Sequence, residues 1–421
     1  MNLKKFLRGL DFSLSEEELS DMRKETELIA NKISGSLVRN KIKARVFVGG
    51  SFAKKTLMKN KDYDIDIFVR FENGEEISEK LGEVVRGGFG GDYNIELVHG
   101  SRDYFRVWRD RKVVFEIIPV LDIKSPKYSE NVTDLSYFHV NYVKRRLKGG
   151  LAREVLIAKK FLRAQGVYGA ESYIQGISGY GLECLIIYYR SFEKMAKGIV
   201  KIRDKEIIDI EKKYKNKKEI LLELNESKLT SPIVMVDPTW KERNVLAALS
   251  LDTFEKLQKS LRKFIKNPGM SYFEEKEISE EILRKQAKKS GADFVKIKIT
   301  TDKQEGDIAG TKLKKFSNFL KQEIGKSFNI KRIEFDYNLR KSAFIYLILK
   351  SKKEIVRSGP PVKMEKHAQI FRAVNKRVFE KKGKLYCKVK VPADGKKFIK
   401  NWLKKNNGVV KEMGITFHSL N

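Results

Sequence analysis

The amino-acid sequence predicts an α+β chain of several domains: a small mixed-sheet head, a helical central domain, and an α/β body with a basic tail. Three observations carry this. The chain has 421 residues, more than one ordinary domain holds. Strand-like runs separated by glycine-rich turns fill roughly the first third, helical periodicity follows, and after Pro268 helices and strands mix. Charge is uneven, since residues 351–421 carry 19 lysines and arginines against 5 acids. We therefore expect domains at 1–142, 143–265 and 266–421.

The head opens with a helix from Leu14 to about Ile33. Ser15 can cap it with Glu18 reaching back, and Leu19, Met22, Ile29 and Ile33 form its apolar stripe. Strand character follows at 44–50 (ARVFVGG), 63–71 (YDIDIFVRF) and 113–120 (VVFEIIPV), with Gly87-Gly88-Phe89-Gly90-Gly91 read as a turn. In the central region, 151–166 reads as a helix stopped by Gly166, and a second helix follows Ser178-Gly179-Tyr180-Gly181. Residues 196–230 read as an exposed amphipathic hairpin, and the stretch from Val245 as a helical pair. Beyond Pro268, FVKIKIT, RIEFDYN and AFIYLIL read as strands, and Ser358-Gly359-Pro360-Pro361 precedes the tail.

Composition narrows the function. The hydrophobic fraction of 41% supports real cores and excludes a wholly disordered chain. The net charge of +33 repels itself on folding, which points to a polyanionic partner such as nucleic acid. Two cysteines, Cys184 and Cys387, build no disulfide framework and fit a reduced compartment. The apolar run 343–349 is far short of the roughly 20 residues of a membrane span, and the N-terminal stretch turns acidic at once. The expectation is a cytoplasmic protein that does not use a membrane.

The chemistry concentrates in Gly49-Gly50-Ser51-Phe52-Ala53-Lys54, followed by Asp62-Tyr63-Asp64-Ile65-Asp66. Residues two apart on a strand share a face. Asp64 and Asp66 thus project together while Ile65 and Ile67 face the core, with Asp62 as a rival in register. Two carboxylates aimed at one point repel unless a cation lies between them, and hard oxygen donors favour Mg2+ over zinc. Glu116, an acid amid β-branched residues, is the expected third carboxylate, with Asp122 as the fallback. Three acids permit two metal ions and in-line phosphoryl displacement. The glycine-serine turn suits a phosphate, with Ser51 and Lys54 as donors, although it lacks the ending of a P-loop. Such a pair on a basic chain points to nucleotidyl transfer.

On these residues the chain resembles the archaeal-type, class I CCA-adding enzymes, tRNA nucleotidyltransferases of the DNA polymerase beta superfamily. The likeness extends to Phe138-His139, to Lys159-Lys160-Phe161-Leu162-Arg163 with Gly166-Val167-Tyr168-Gly169, and to Ile177-Ser178-Gly179-Tyr180. It continues through Val236-Asp237-Pro238, Arg243-Asn244-Val245, and Gly359-Pro360-Pro361 with His367 and Phe371. The resemblance implies a nucleotidyltransferase head at 1–142, a helical nucleotide- and tRNA-binding domain at 143–265, and a tRNA-binding body and tail at 266–421. It implies stepwise addition of C, C and A to the 3′ end of immature tRNA from CTP and ATP, with two Mg2+ ions on Asp64, Asp66 and Glu116. Gly50, Ser51 and Lys54 match the loop that contacts the triphosphate. His139, Lys159, Tyr168 and Ser178 match positions that hold the nucleotide, and Arg243 an arginine near the base-selecting pocket. The implied partner is the acceptor stem and T arm of tRNA, and the implied assembly a homodimer. Glu116 stands where the family usually has aspartate, and Lys54 where arginine is common. Two alternatives remain: another template-independent nucleotidyltransferase such as a poly(A) polymerase, and a non-catalytic RNA-binding protein.

Overall fold

The computed structural model describes residues 2–275 and 278–420. The chain divides into two compact units, 1–170 with 174–275, and 171–173 with 276–421.

The first unit begins with α1 (Leu3–Arg8) and α2 (Glu16–Arg39). The capping box read from the sequence is present: Ser15 Oγ accepts from the Glu18 amide, and the Glu18 carboxylate accepts from the Ser15 amide at 2.9 Å. Strand β1 (Ala44–Val48), the single turn α3 (Gly50–Ala53), β2 (Tyr63–Phe71), α4 (Ile77–Gly88), β3 (Asn94–Val98), β4 (Tyr104–Trp108) and β5 (Val113–Leu121) follow. The strands form one mixed sheet in the order β1-β2-β5-β4-β3. β2 and β5 run parallel, which requires a crossover, and α4 with β3 and β4 provides it. Ile65, Ile67, Phe115 and Ile117 are fully buried in a core with Ile29 and Ile33 of α2 and Leu81 and Val84 of α4. That apolar alternation leaves the even-numbered residues, including Asp64, Asp66 and Glu116, on the other face.

In this sheet two strands went unread in the sequence, β3 and β4. Gly87 and Gly88, expected in a turn, end helix α4 instead.

Helices α5 (Ser136–Arg146), α6 (Leu151–Ala164), α7 (Gly179–Tyr189), α8 (Phe192–Lys201), α9 (Lys217–Glu223) and α10 (Leu251–Lys266) complete this unit, with a parallel pair β6 (Glu206–Ile208) and β7 (Ile233–Met235). They surround a second core rich in aromatic rings, with Phe161, Phe192, Phe264 and Phe273 in mutual contact. The sequence expectations of an amphipathic hairpin at 196–230 and a helical pair from Val245 are corrected here. Residues 206–208 leave the helical pattern to pair with the buried strand 233–235, and a single helix, α10, follows a turn ending at Ser250, its N-cap.

In the second unit α11 (Glu280–Lys289), β8 (Asp293–Thr300), α12 (Asp307–Ser327), β9 (Phe328–Tyr337) and β10 (Ser342–Ser351) lead to β11 (Glu354–Pro361), α13 (Glu365–Val374), β12 (Val378–Lys381), β13 (Lys384–Lys390), α14 (Gly395–Lys405), α15 (Asn407–Glu412) and β14 (Phe417–Leu420). An antiparallel sheet ordered β14-β8-β10-β9 carries α12 and α14 over its core face. A three-stranded sheet, β11-β13-β12, carries α13. There a Cβ on Gly359 would fall 2.6 Å from the Phe371 ring, so the close approach of helix to strand needs glycine at that position.

The cores set the scale of stability. Ile67→Ala is expected to cost about 2–5 kcal/mol through lost burial and the cavity left behind. Ser15→Ala, which removes one cap, should cost about 1 kcal/mol. Urea denaturation of the two variants measures the difference. Equal small losses would contradict the placement of Ile67.

Candidate active site

Register does most of the assembly. In the parallel β2–β5 pair Asp66 lies opposite Glu116, and Asp64 lies one pleat earlier on the same face. Asp62 precedes the strand and is exposed. On the other side of β5, Arg106 of β4 lies opposite Glu116. Its Nε and Nη2 donate to Glu116 Oε1 at 2.9 and 2.8 Å.

Above the sheet the turn at 49–50 closes on Asp66. Gly49 N donates to the Asp66 carbonyl at 2.9 Å. Gly50 has φ +60°, and a Cβ there would fall 1.6 Å from Asp66 Oδ2, so no other residue fits. Ser51 is partly exposed in the same turn.

Burial, then the Glu116 charge, pushes the Asp66 carboxyl up to about 6 against the pull of Lys54. Glu116 is also raised by burial, with Arg106 opposing. Acids crowded until they resist ionisation are what a divalent cation relieves. Asp64 and Asp66 supply hard oxygen donors on one face and fit Mg2+. Among the described residues, however, no group of three or more His, Cys, Asp or Glu is placed to hold a metal ion. The expected third carboxylate shares the face of the other two, but one of its oxygens, Oε1, is taken by Arg106. The fallback acid, Asp122, is not near them: it sits beyond the end of β5, bound by Arg45 and Arg70.

The lysines come from different elements. Lys54 Nζ, following α3, donates to Glu183 Oε2 of α7 at 2.7 Å. Lys159 of α6 is buried, and its Nζ donates to the Thr56 carbonyl at 3.2 Å. Burial, reinforced by Arg163, lowers its pKa from 10.5 to about 8. Its ammonium lies 5.7 Å from the Tyr168 ring centre. The Tyr168 hydroxyl packs on Gly179, where a Cβ would come within 2.8 Å of it. Ser178 is the N-cap of α7, its Oγ accepting from the Gly181 amide at 3.0 Å.

A second cluster forms around Asp237, whose side chain is fully buried. Oδ2 lies 3.1 Å from His139 Nε2 and accepts from Arg243 Nη1 at 2.8 Å. Oδ1 accepts from the Tyr180 hydroxyl at 3.0 Å and from Thr239. Burial alone would raise this carboxyl, but the hydrogen bond from His139 and the charge of Arg243 hold it well below its usual range. Burial lowers the His139 pKa against the opposing pull of Asp237, and its ring stacks on Tyr180 at 3.8 Å. His139 and Arg243 are thus brought together, through an aspartate that sequence reasoning saw as part of a motif and not as a site residue.

Sequence reasoning missed two more residues beside the acids. Tyr104, on the same face of β4 as Arg106, is pushed up to about 12 by burial and the Glu116 charge. Both lie on a strand that the sequence did not reveal.

A nucleotidyltransferase-domain family model matches residues 15–130, and a model of the second domain of tRNA nucleotidyltransferases matches residues 153–274. The structure of Cid1, described as explaining its RNA terminal uridylyl transferase activity, superposes with a TM-score of 0.50. It is 12% identical and covers 66% of this chain and 98% of that one, a likeness of fold. Fold and sequence together define a nucleotidyltransferase. The CCA-adding enzyme of Nanoarchaeum equitans is 34% identical over 341 residues, covering 77% of this chain and 80% of the relative. That of Methanocaldococcus jannaschii is 29% identical over 394 residues, covering 89% and 84%. The chain belongs to the family of CCA-adding enzymes.

The depressed pKa of Lys159 is directly measurable. An NMR titration of the lysine side chains should show one ammonium losing its proton near pH 8, a signal absent from Lys159→Met. A nearby anion favours the charged form, so inorganic pyrophosphate should move that midpoint upward. A midpoint near 10.5 that ignores pyrophosphate would place Lys159 outside the site.

Proposed function

We propose that this chain adds C, C and A to the 3′ end of immature tRNA from CTP and ATP, without a nucleic-acid template and with release of pyrophosphate. The observation that carries the reading is the packing of Asp66 beneath Gly50, with Glu116 beside it on the neighbouring strand. In this reading residues 1–142 are the catalytic head, 143–265 the helical domain that holds nucleotide and tRNA, and 266–421 the body and tail that grip tRNA. Gly50, Ser51, Lys54 and Lys159 face the triphosphate, and Tyr168 and Ser178 line the nucleotide beside them. His139 and Arg243, locked together through Asp237, present a fixed imidazole and a fixed guanidinium to the base or sugar.

Asp64 and Asp66 would hold two Mg2+ ions together with Glu116, through the Oε2 that Arg106 does not bond, and the ions would supply Lewis-acid chemistry to the RNA 3′-hydroxyl and the pyrophosphate. The acids themselves keep the site negative at neutral pH, since Asp66 ionises above about 6. The net charge of +33 supports backbone contacts to an A-form acceptor stem and T arm. A homodimer in the cytoplasm belongs to the same proposal, on the family resemblance alone. No helix among the described residues is long and apolar enough to cross a membrane.

Incubation with tRNA lacking its 3′ end, CTP, ATP and Mg2+ should give an addition that stops after C-C-A. An open-ended A tail would instead favour a poly(A) polymerase. Asp66→Ala should lower incorporation about a thousandfold or more, the scale of several kcal/mol of lost charge stabilisation, with RNA affinity retained. Transfer at the wild-type rate in that variant would leave a non-catalytic RNA-binding role.

A further inference from the structure

Glu183 has no part in the chemistry described so far, yet it is an acid in the apolar helix GYGLECLIIYY with its side chain 3% exposed. Both of its oxygens are used. Oε2 accepts from Lys54 Nζ at 2.7 Å, and Oε1 accepts from Thr56 Oγ1 at 2.8 Å. The Thr56 carbonyl in turn accepts from Lys159 Nζ at 3.2 Å, and its amide donates to the Ser51 carbonyl at 2.8 Å. One buried carboxylate therefore ties the 50–56 loop to α7, and through Thr56 to the lysine of α6.

We infer that Glu183 is a positioning residue for the nucleotide's triphosphate, acting through Lys54 and Thr56. This rests on the nucleotidyl-transfer reading. An ammonium has three N–H donors, so the bond to Glu183 fixes the direction of Lys54 and leaves two donors for phosphate oxygens. A lysine otherwise loses its rotamer freedom when it grips a ligand, and a lysine already held loses less. The direction of the effect separates positioning from plain charge. A carboxylate that acted only as a nearby negative charge would repel the triphosphate, and removing it would tighten binding. A carboxylate that positions Lys54 does the opposite.

The test uses the full chain with tRNA lacking its 3′ end and reads KM for CTP apart from kcat, together with calorimetric binding of CTP. Glu183→Gln should raise KM and weaken CTP binding about tenfold, the scale of one charge-assisted hydrogen bond, with a much smaller change in kcat. Lys54→Met should raise KM as well. Glutamine keeps an acceptor oxygen for Thr56, so Glu183→Gln acts through Lys54 and the double variant Lys54→Met/Glu183→Gln should be no worse than Lys54→Met. Thr56→Val, which loses only the hydroxyl arm, should raise KM by less than Glu183→Gln. Unchanged or lowered KM in Glu183→Gln, or additive effects in the double variant, would overturn the inference. If Glu183→Gln alone does not fold, the double variant leaves no unpaired buried ion. Its comparison with Lys54→Met, alongside Thr56→Val, then decides the same question. A wild-type chain that incorporates no CTP would instead refute the nucleotidyl-transfer reading itself.

Discussion

The parallel pairing of β2 with β5 is the constraint on which the site depends. Side chains alternate with a period of two, so a slip of one residue would drive the acids into the core and the isoleucines out. Ile65, Ile67, Phe115 and Ile117 each lose nearly all contact with water, and that burial fixes the register. Asp66 then has Glu116 as its neighbour as a consequence of where the apolar residues must go. Glycine at position 50 allows the following loop to close over the acid, which a side chain there would prevent.

Charge on this chain is managed locally despite the large positive total. Glu116 is held by Arg106, Glu183 by Lys54, Asp237 by Arg243 and His139, and Asp122 by Arg45 and Arg70. Breaking a buried pair leaves an uncompensated ion, which is why such partners act as fixed points rather than loose contacts. For Asp66 burial and the Glu116 charge outweigh the pull of Lys54. It is the acid most in need of an external cation, and it sits where the loop and the lysines converge. The strongest local electrostatic demand and the proposed chemistry thus coincide.

What the sequence made legible was local. The Ser15–Glu18 capping box, the strands at 63–71 and 113–120, and the shared face of Asp64 and Asp66 all follow from spacings within a few residues. Strand β3 is exposed along most of its length and lacks a buried face to create a pattern, and its five-residue partner β4 offers only two alternating buried positions, Phe105 and Val107. With β4 unseen, Arg106 and Tyr104 could not be placed beside Glu116. Glu183 offered a signal, a lone acid among Leu182, Cys184, Leu185 and Ile186, but its partners Lys54 and Thr56 lie more than a hundred residues away. A separation of 98 residues likewise hid the bond between His139 and Asp237. Residues 206–208 read as part of a charged helical hairpin because the short strand they pair with, 233–235, is itself recognisable only once buried.

Binding of a divalent cation, measured without any turnover, tests the central claim most directly. Mn2+ can be titrated into the protein in the presence of CTP and followed by electron paramagnetic resonance, comparing wild type with Asp64→Asn/Asp66→Asn. The wild-type chain should take up Mn2+, and the double variant, its fold intact by circular dichroism, should lose most of that binding. Equal Mn2+ binding by the two proteins would contradict a metal site at these acids.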